Sequence, residues 1–382
     1  MTHPAGDLRA EPLAVMSSII GRIATGPELS KDISREEART GMRFILNGDV
    51  DPVQAGIFLI ALRMKRETDE ENQGILEALL DVTQSATAQV PEVVDLADPY
   101  DGYSRTLPAS PFLPAVLAAC GVPCISHGVE RMGPKYGVTH RQVLAAAGVP
   151  VDLTAAQAAA RVSEAQIAWS YVDQKAFCPK LYDLAHLRSL IVKRPAITAA
   201  ETLLPAVRGQ VRTHLVTGYV HKPYPRIYAL LARRAGFDSA LIVRGVEGGV
   251  IPALRQVGKA FYYHHGGEER SVEFRPGELG IEQSVLAPSI SGRAERDTDS
   301  EDRSTTAPDQ AAVARAAAQA GMEALSGRGD GATRDSLICG ASLCLWHLRR
   351  QDSLPSAAAA VRKVLDSGAA RERVLRAINT KL

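Results

Sequence analysis

From Leu13 to Ser85 apolar and polar positions alternate with the period of amphipathic helices. Ser34-Arg35-Glu36-Glu37 sets a hydroxyl residue three positions before a glutamate, as in a capping box, so Ser34 is predicted to start a helix. Asn47-Gly48-Asp49 stops that helix, and Pro52 falls near the start of the next, where its missing N–H costs little. Val53–Met64 and Thr68–Thr83 read as two further helices. Four short helices in about 70 residues predict a bundle-like subdomain, assigned to residues 10–88.

From Pro91 the pattern changes to short apolar runs between helical stretches. Val93–Leu96, Pro123–Gly128, Ile167–Val172, His214–Gly218 and Ser239–Val243 read as strands. Helices are predicted over Phe112–Cys120, Val143–Ala147, 155–168 and Pro225–Ala235, and strands alternating with helices imply a mainly parallel sheet. Phe261–Tyr263 and Val272–Phe274 read as an antiparallel pair around Gly266-Gly267. Residues 180–205 look helical and interrupt the alternation, so the segment 178–206 is expected to pack on the bundle. The α/β domain then takes 91–177 and 210–382, with long helices at Gln310–Leu325 and Ser336–Arg349 and a final one at Ser356–Asp366. Residues 288–309, dense in Ser, Thr, Asp, Glu and Arg without apolar period, are read as a mobile loop. The expected fold class is therefore α/β, a small N-terminal helical domain plus a larger domain with a mainly parallel central sheet.

The formal net charge of +1 excludes a globally basic protein, so any polyanion site has to come from local clustering. Five cysteines without a framework spacing argue against a secreted disulfide scaffold, and Cys120 and Cys124 read as small buried hydrophobes. No apolar run approaches the roughly 20 residues of a membrane span, and the N-terminal residues lack a signal-peptide pattern, which predicts a cytoplasmic protein with no membrane partner.

Three stretches resemble the anthranilate phosphoribosyltransferase family. They are Ile45-Leu46-Asn47-Gly48-Asp49-Val50-Asp51-Pro52 continuing to Ala61–Thr68, Ala118–Pro123 followed by His127-Gly128, and Ala324–Gly327 through Arg334-Asp335 with Asp366–Ala369 after it. The resemblance implies a helical domain joined to an α/β domain and a homodimer formed through the helical part. It also implies a donor site for phosphoribosyl pyrophosphate and magnesium, and here the sequence departs from the family. In place of the glycine-rich loop after the first strand stands Asp98-Pro99-Tyr100-Asp101-Gly102-Tyr103-Ser104-Arg105. With one glycine left, a backbone nest for an anion is not expected there. The family's Asn-x-Ser-Thr falls near Pro108–Pro111, with at most Ser110 kept, and Val129-Glu130 replaces Asn-Arg. Where the family's magnesium-binding Asp-Glu pair belongs, Arg244-Gly245-Val246-Glu247-Gly248-Gly249 is followed by Val250-Ile251, and aliphatic chains cannot ligate a hard cation. No magnesium or other cofactor is therefore expected, and no catalytic residue is assigned. The resemblance carries over one further residue, Arg188, as the anthranilate-contacting arginine; the alternative is an Arg paired with a local carboxylate.

Between Lys180 and Arg234 ten basic residues face only Asp183 and Glu201, with Tyr219, Tyr224 and Tyr228 among them. Such clustering is the electrostatic footprint of a phosphate-bearing partner, with Lys193, Arg194, Lys222, Arg226, Arg233 and Arg234 as candidates and the tyrosines able to stack on bases. The plainer reading is a solvated helix face with core tyrosines. His127-Gly128 reads as a structural turn, and His264 and His265 as surface histidines on opposite strand faces.

Two functions remain open. In the first, the chain is a glycosyl- or phosphoribosyl-type transferase with an altered donor site taking a phosphorylated small molecule, not anthranilate phosphoribosyl transfer. Its candidate ligand residues are Tyr100, Asp101, Gly102, Arg105, His127, Gly128, Lys135, Arg188, Arg244 and Glu247. In the second, the cleft is inert and the basic region binds single-stranded nucleic acid or another polyanion.

Overall fold

The computed structural model describes residues 10–26, 28–290, 309–328 and 331–380. Of the stretch 288–309 expected to be a mobile loop, residues 291–308 lie outside the described ones. The chain divides into two compact units: residues up to Thr83 with Cys178–Leu204, and Gln84–Phe177 with Pro205 onward.

The first unit holds α1 (Ala10–Ile23), α2 (Arg35–Asn47), α3 (Pro52–Lys65) and α4 (Asp69–Asp81). Ser34 caps α2 through the predicted box with Glu37, and Gly48 ends it at φ 72°, a left-handed position that glycine takes without steric cost. A second box joins Thr68 to Glu71 at the start of α4, and each such cap contributes about 1 kcal/mol. Glu71 is fully buried because its oxygens also accept from the Ile33 N–H and from Lys65 Nζ. Helices α2 and α4 lie close enough that a Cβ on Gly74 would sit 2.2 Å from the Arg35 carbonyl oxygen. The return segment is broken into short turns at Pro179–Tyr182 and Ala185–Ile191 and two 3-10 turns, where one helical stretch was expected.

In the second unit β1 (Ala86–Thr87) pairs with β5 (Val207–Arg208) in a small parallel sheet too short to stand out in the sequence. The main sheet is built of β2 (Glu92–Ala97), β3 (Cys124–Gly128), β4 (Trp169–Asp173), β6 (Arg212–Tyr219), β7 (Ser239–Arg244), β8 (Gly258–His264) and β9 (Arg270–Phe274), in the order β4-β3-β2-β6-β7-β8-β9. Its first five strands in that order are parallel, and β8 and β9 add an antiparallel edge. Helices cover the parallel strands, so β3 and β4 are buried along their whole length, polar residues included.

The core gathers Phe112, Leu113, Trp169, Leu337 and Ile338 around the helix Gly331–His347, which is apolar on nearly every face. A Cβ on Gly321 would come within 2.1 Å of the Phe112 ring, so the helix Gln310–Ala324 lies directly on that side chain. Removing a ring buried in this way costs about 3–5 kcal/mol. A helix at Ala369–Asn379 follows Leu354–Asp366, which was expected to be the last. From β2 the chain winds outward through β3 to β4, then returns to β6 beside β2 and winds the other way. The strand order thus reverses between β2 and β6, and in open α/β sheets the crevice at the carboxyl ends of such strands is where ligands bind.

Candidate functional site

The loop leaving β2 runs from Asp98 to Thr106, and the turn leaving β7 runs from Gly245 to Pro252. Both stand at the carboxyl edge beside the reversal. Glu247 joins them. Its carboxylate accepts the backbone N–H groups of Ser104 at 2.9 Å, Arg105 at 3.0 Å and Thr106 at 2.9 Å. The hydroxyls of Ser104 and Thr106 donate as well, at 3.1 and 2.9 Å. Three successive amides converging on two oxygens form an anion nest. The loop therefore does build a nest, contrary to the expectation from its single glycine, but a carboxylate of the same chain fills it. Glu247 reaches in from a left-handed backbone, φ 54° and ψ 19°, unusual for a glutamate and paired with Gly248 at φ 85°.

Asp98 forms a second, deeper junction. Its Oδ2 accepts from Tyr103 Oη and Ser110 Oγ, both at 2.8 Å, with His140 Nε2 at 2.7 Å, and its Oδ1 accepts from the Val250 N–H at 2.9 Å. Burial opposes ionisation, but the adjoining His140 ring and the two hydroxyls outweigh it and hold the Asp98 carboxyl below its usual range. Burial, reinforced by Asp98, pushes the Tyr103 phenol well above its own. The phenol also fixes Gly249, where a Cβ would meet the Tyr103 oxygen at 1.8 Å.

A third junction is wholly internal. Asp95 Oδ1 lies 2.8 Å from His127 Nε2, and Tyr100 Oη 2.6 Å from His127 Nδ1. The carboxylate accepts only, so Nε2 carries the proton and Tyr100 donates to Nδ1. The Phe177 ring stands edge-on against the imidazole, and His127 and Asp95 are fully buried. This has the order of a base with its orienting acid, but no reacting atom has access to it.

The structure brings Arg105, Lys135, Asp101 and Glu247 together. Lys135 Nζ lies 3.1 Å from Asp101 Oδ1 and donates to the Glu247 carbonyl at 3.1 Å, while Arg105 Nε is 3.9 Å from Glu247 Oε2. Arg244 is exposed at the end of β7. Gly102, at φ 70°, packs on the Val138 carbonyl, and Gly128 ends β3 beside the Tyr171 hydroxyl. Arg188 belongs to the first unit, where both its terminal nitrogens bond the buried Glu201 carboxylate at 2.6 Å.

The polyanion candidates divide as well. Lys193 and Arg194 are in the first unit, whereas Lys222, Arg226, Arg233 and Arg234 flank or lie on the helix Tyr224–Arg234 of the second. Arg233 is held by Glu269 at 3.0 Å and lies over the Tyr263 ring. Sequence reasoning missed Asp98 and His140, because nothing local ties positions so far apart.

A resident magnesium does not fit these residues. Val250 and Ile251 are buried aliphatics, and the oxygens of Asp98 and Glu247 already accept hydrogen bonds. Among the described residues no cluster of three or more His, Cys, Asp or Glu is arranged to hold a metal, and no helix is long and apolar enough to cross a membrane.

The chain matches the glycosyl transferase family helical bundle domain over residues 17–83 and the glycosyl transferase family a/b domain over residues 102–371. An uncharacterized protein of Aquifex aeolicus is 30% identical over 255 residues, covering 66% of this chain and 74% of that one. The anthranilate phosphoribosyltransferase of Bradyrhizobium diazoefficiens is 27% identical over 360 residues, 94% of this chain and 96% of that one. The structure of anthranilate phosphoribosyltransferase from Thermus thermophilus superimposes with a TM-score of 0.72 at 18% identity, covering 95% of this chain and 98% of that one. The Saccharomyces cerevisiae enzyme in complex with PRPP and Mg does so with a TM-score of 0.70 at 16% identity, covering 96% and 97%.

Proposed function

The chain belongs to the glycosyl transferase family built of a helical bundle domain and an α/β domain, and from that premise we propose that it is a divergent member. It does not carry out anthranilate phosphoribosyl transfer. It binds a phosphorylated small molecule at the sheet's reversal point without magnesium. The Glu247 carboxylate in the Ser104–Thr106 nest carries this reading. Transfer from a pyrophosphate donor needs a charge clamp on the departing group, made by amide donors and a cation. Here the amides are taken up by an internal anion, and the positions for metal-binding carboxylates hold Val250 and Ile251. Arg105, Lys135 and Arg244 leave positive charge at the same edge, which suits a single phosphate better than a magnesium-bound pyrophosphate.

Calorimetric titration with ribose 5-phosphate, and with phosphoribosyl pyrophosphate in the presence and absence of magnesium, tests this. Binding that ignores magnesium and weakens in Arg105→Ala and Arg244→Ala is expected. Binding of phosphoribosyl pyrophosphate that requires magnesium would overturn the reading.

A second reading has its own observation. On the helix Tyr224–Arg234 exposed Arg226 and Arg234, with Lys222 just before it, accompany a ladder of rings from His221 through Tyr224 to Tyr228, the last two 5.4 Å apart. Charge with interleaved rings suits a single-stranded nucleic acid. Fluorescence anisotropy of a labelled oligonucleotide, titrated at two salt concentrations, decides whether it binds. The homodimer through the helical unit that the family resemblance implies belongs to the same proposal and is tested by sedimentation.

A further inference from the structure

Strand β7 leads to Glu247 at its carboxyl end, but its first residue, Ser239, lies opposite His264, the last residue of antiparallel β8. Five residue steps separate Ser239 from Arg244, about 17 Å along a strand. At that far edge the second unit has a cavity of about 350 Å³ lined by Tyr262, His264, Arg270, Trp346, His347 and Arg349, among others. Its walls are planar rings. The imidazoles of His264 and His347 stack with centroids 4.4 Å apart and planes 18° apart, and Tyr262 stands edge-on to Trp346 at 5.2 Å. His264, expected from the sequence as a surface histidine, is half-buried and part of this ring stack.

The polarity of the cavity is set by a chain of hydrogen bonds beneath it. Glu92 Oε2 lies 3.1 Å from His214 Nε2, His214 Nδ1 lies 2.8 Å from Ser239 Oγ, and Ser239 Oγ lies 2.9 Å from His347 Nε2. A carboxylate only accepts, so His214 donates from Nε2 and accepts at Nδ1. Ser239 then donates to His214 and accepts from His347 Nε2–H. His347 is left with a bare lone pair at Nδ1, and that atom is buried without a hydrogen-bond partner. Burial keeps both imidazoles neutral, which preserves this order. A buried acceptor without a partner on a cavity-lining ring calls for a donor.

The rim is cationic. Arg270 and Arg349 have no carboxylate partner among the described residues, against the single acid Glu268. Arg349 also takes a left-handed φ of 54° just after the helix ends at His347, a position that glycine usually fills.

We propose that this cavity is a second ligand site, distinct from the Glu247 edge, for a planar ring that carries an N–H or O–H donor and an anionic substituent. The ring slots beside Tyr262 and Trp346, its donor meets His347 Nδ1, and its anion meets Arg270 and Arg349. A nucleobase with its phosphate and a hydroxyaryl carboxylate share this chemistry.

The chain's two tryptophans make the test direct, because Trp169 is buried in the core while Trp346 lines the cavity. Tryptophan fluorescence of the full chain is titrated with adenosine monophosphate in one arm and 4-hydroxybenzoate in the other. A saturable change with at least one probe, absent in Trp346→Phe, is expected, and the responding arm identifies the source of the anion. Arg349→Gly suits the left-handed backbone and so keeps the fold, and it should weaken binding about tenfold, as loss of a charge-assisted contact does. Arg105→Ala, at the other edge, should leave this binding unchanged. No saturable change with either probe, or equal affinity in Arg349→Gly and the natural chain, overturns the proposal.

Discussion

Thr106 and Glu247, 141 residues apart in the chain, are joined twice: the Thr106 N–H and its hydroxyl both donate to Glu247 Oε1 at 2.9 Å. The bonds tie the loop after β2 to the turn after β7. They also occupy, with a group of the chain itself, the donors that an external anion would need.

Glu247→Gln is expected to lower unfolding stability by about 2–4 kcal/mol, since an amide nitrogen would face backbone donors and leave them unmet. Glu247→Ala empties the nest instead. Sulfate or phosphate should then raise the melting temperature of the alanine variant more than that of the natural chain. Equal responses of the two proteins to phosphate in a thermal melt would refute the nest.

Arg188→Ala should cost about 3–5 kcal/mol, because it leaves the buried Glu201 carboxylate unpaired. Arg188→Met combined with Glu201→Leu should recover most of that loss in urea unfolding. If the double variant is folded but Arg188→Ala changes only ligand binding and not stability, the arginine has the contact role that the family resemblance implied.

Burial holds His214 down at about 4 and His347 well below its usual value. The folded pKa is depressed, so the unfolded chain takes up protons that the folded one refuses. Stability is therefore full above the ordinary histidine value near 6.5 and is lost as pH falls from there toward 4, by about 2–3 kcal/mol for His214. Urea midpoints measured across that window should fall in the natural chain and less steeply in His214→Gln. An equal fall in both would show that this histidine does not titrate as described.

If the helix Tyr224–Arg234 binds a nucleic acid, Lys222→Glu, Arg226→Glu and Arg234→Glu together should reduce the salt slope of oligonucleotide binding by about 3, near one for each phosphate contact. A natural chain without salt-dependent binding removes the second reading altogether.

Much of this fold was legible in local patterns. The capping box at Ser34, the stop at Gly48 and the apolar runs of the strands each act through their own few residues. The two-residue strands Ala86–Thr87 and Val207–Arg208 were not, since they lack the length to show a period. The departure from the family expected at Val250 and Ile251 was read directly from the sequence. The refilling of the nest was not, because it depends on Glu247 folding back across 141 residues to Thr106. Likewise Ser110 stood out as a remnant of a family motif, but its partner His140 did not, for that pairing exists only once the sheet is assembled.

The central claim is that this chain keeps the family's fold without anthranilate phosphoribosyl transfer. The most direct test is the loss of anthranilate fluorescence on incubation of the full chain with anthranilate, phosphoribosyl pyrophosphate and magnesium. The prediction is a rate no different from that without protein. A loss of fluorescence that requires the chain, the pyrophosphate donor and magnesium together would contradict it.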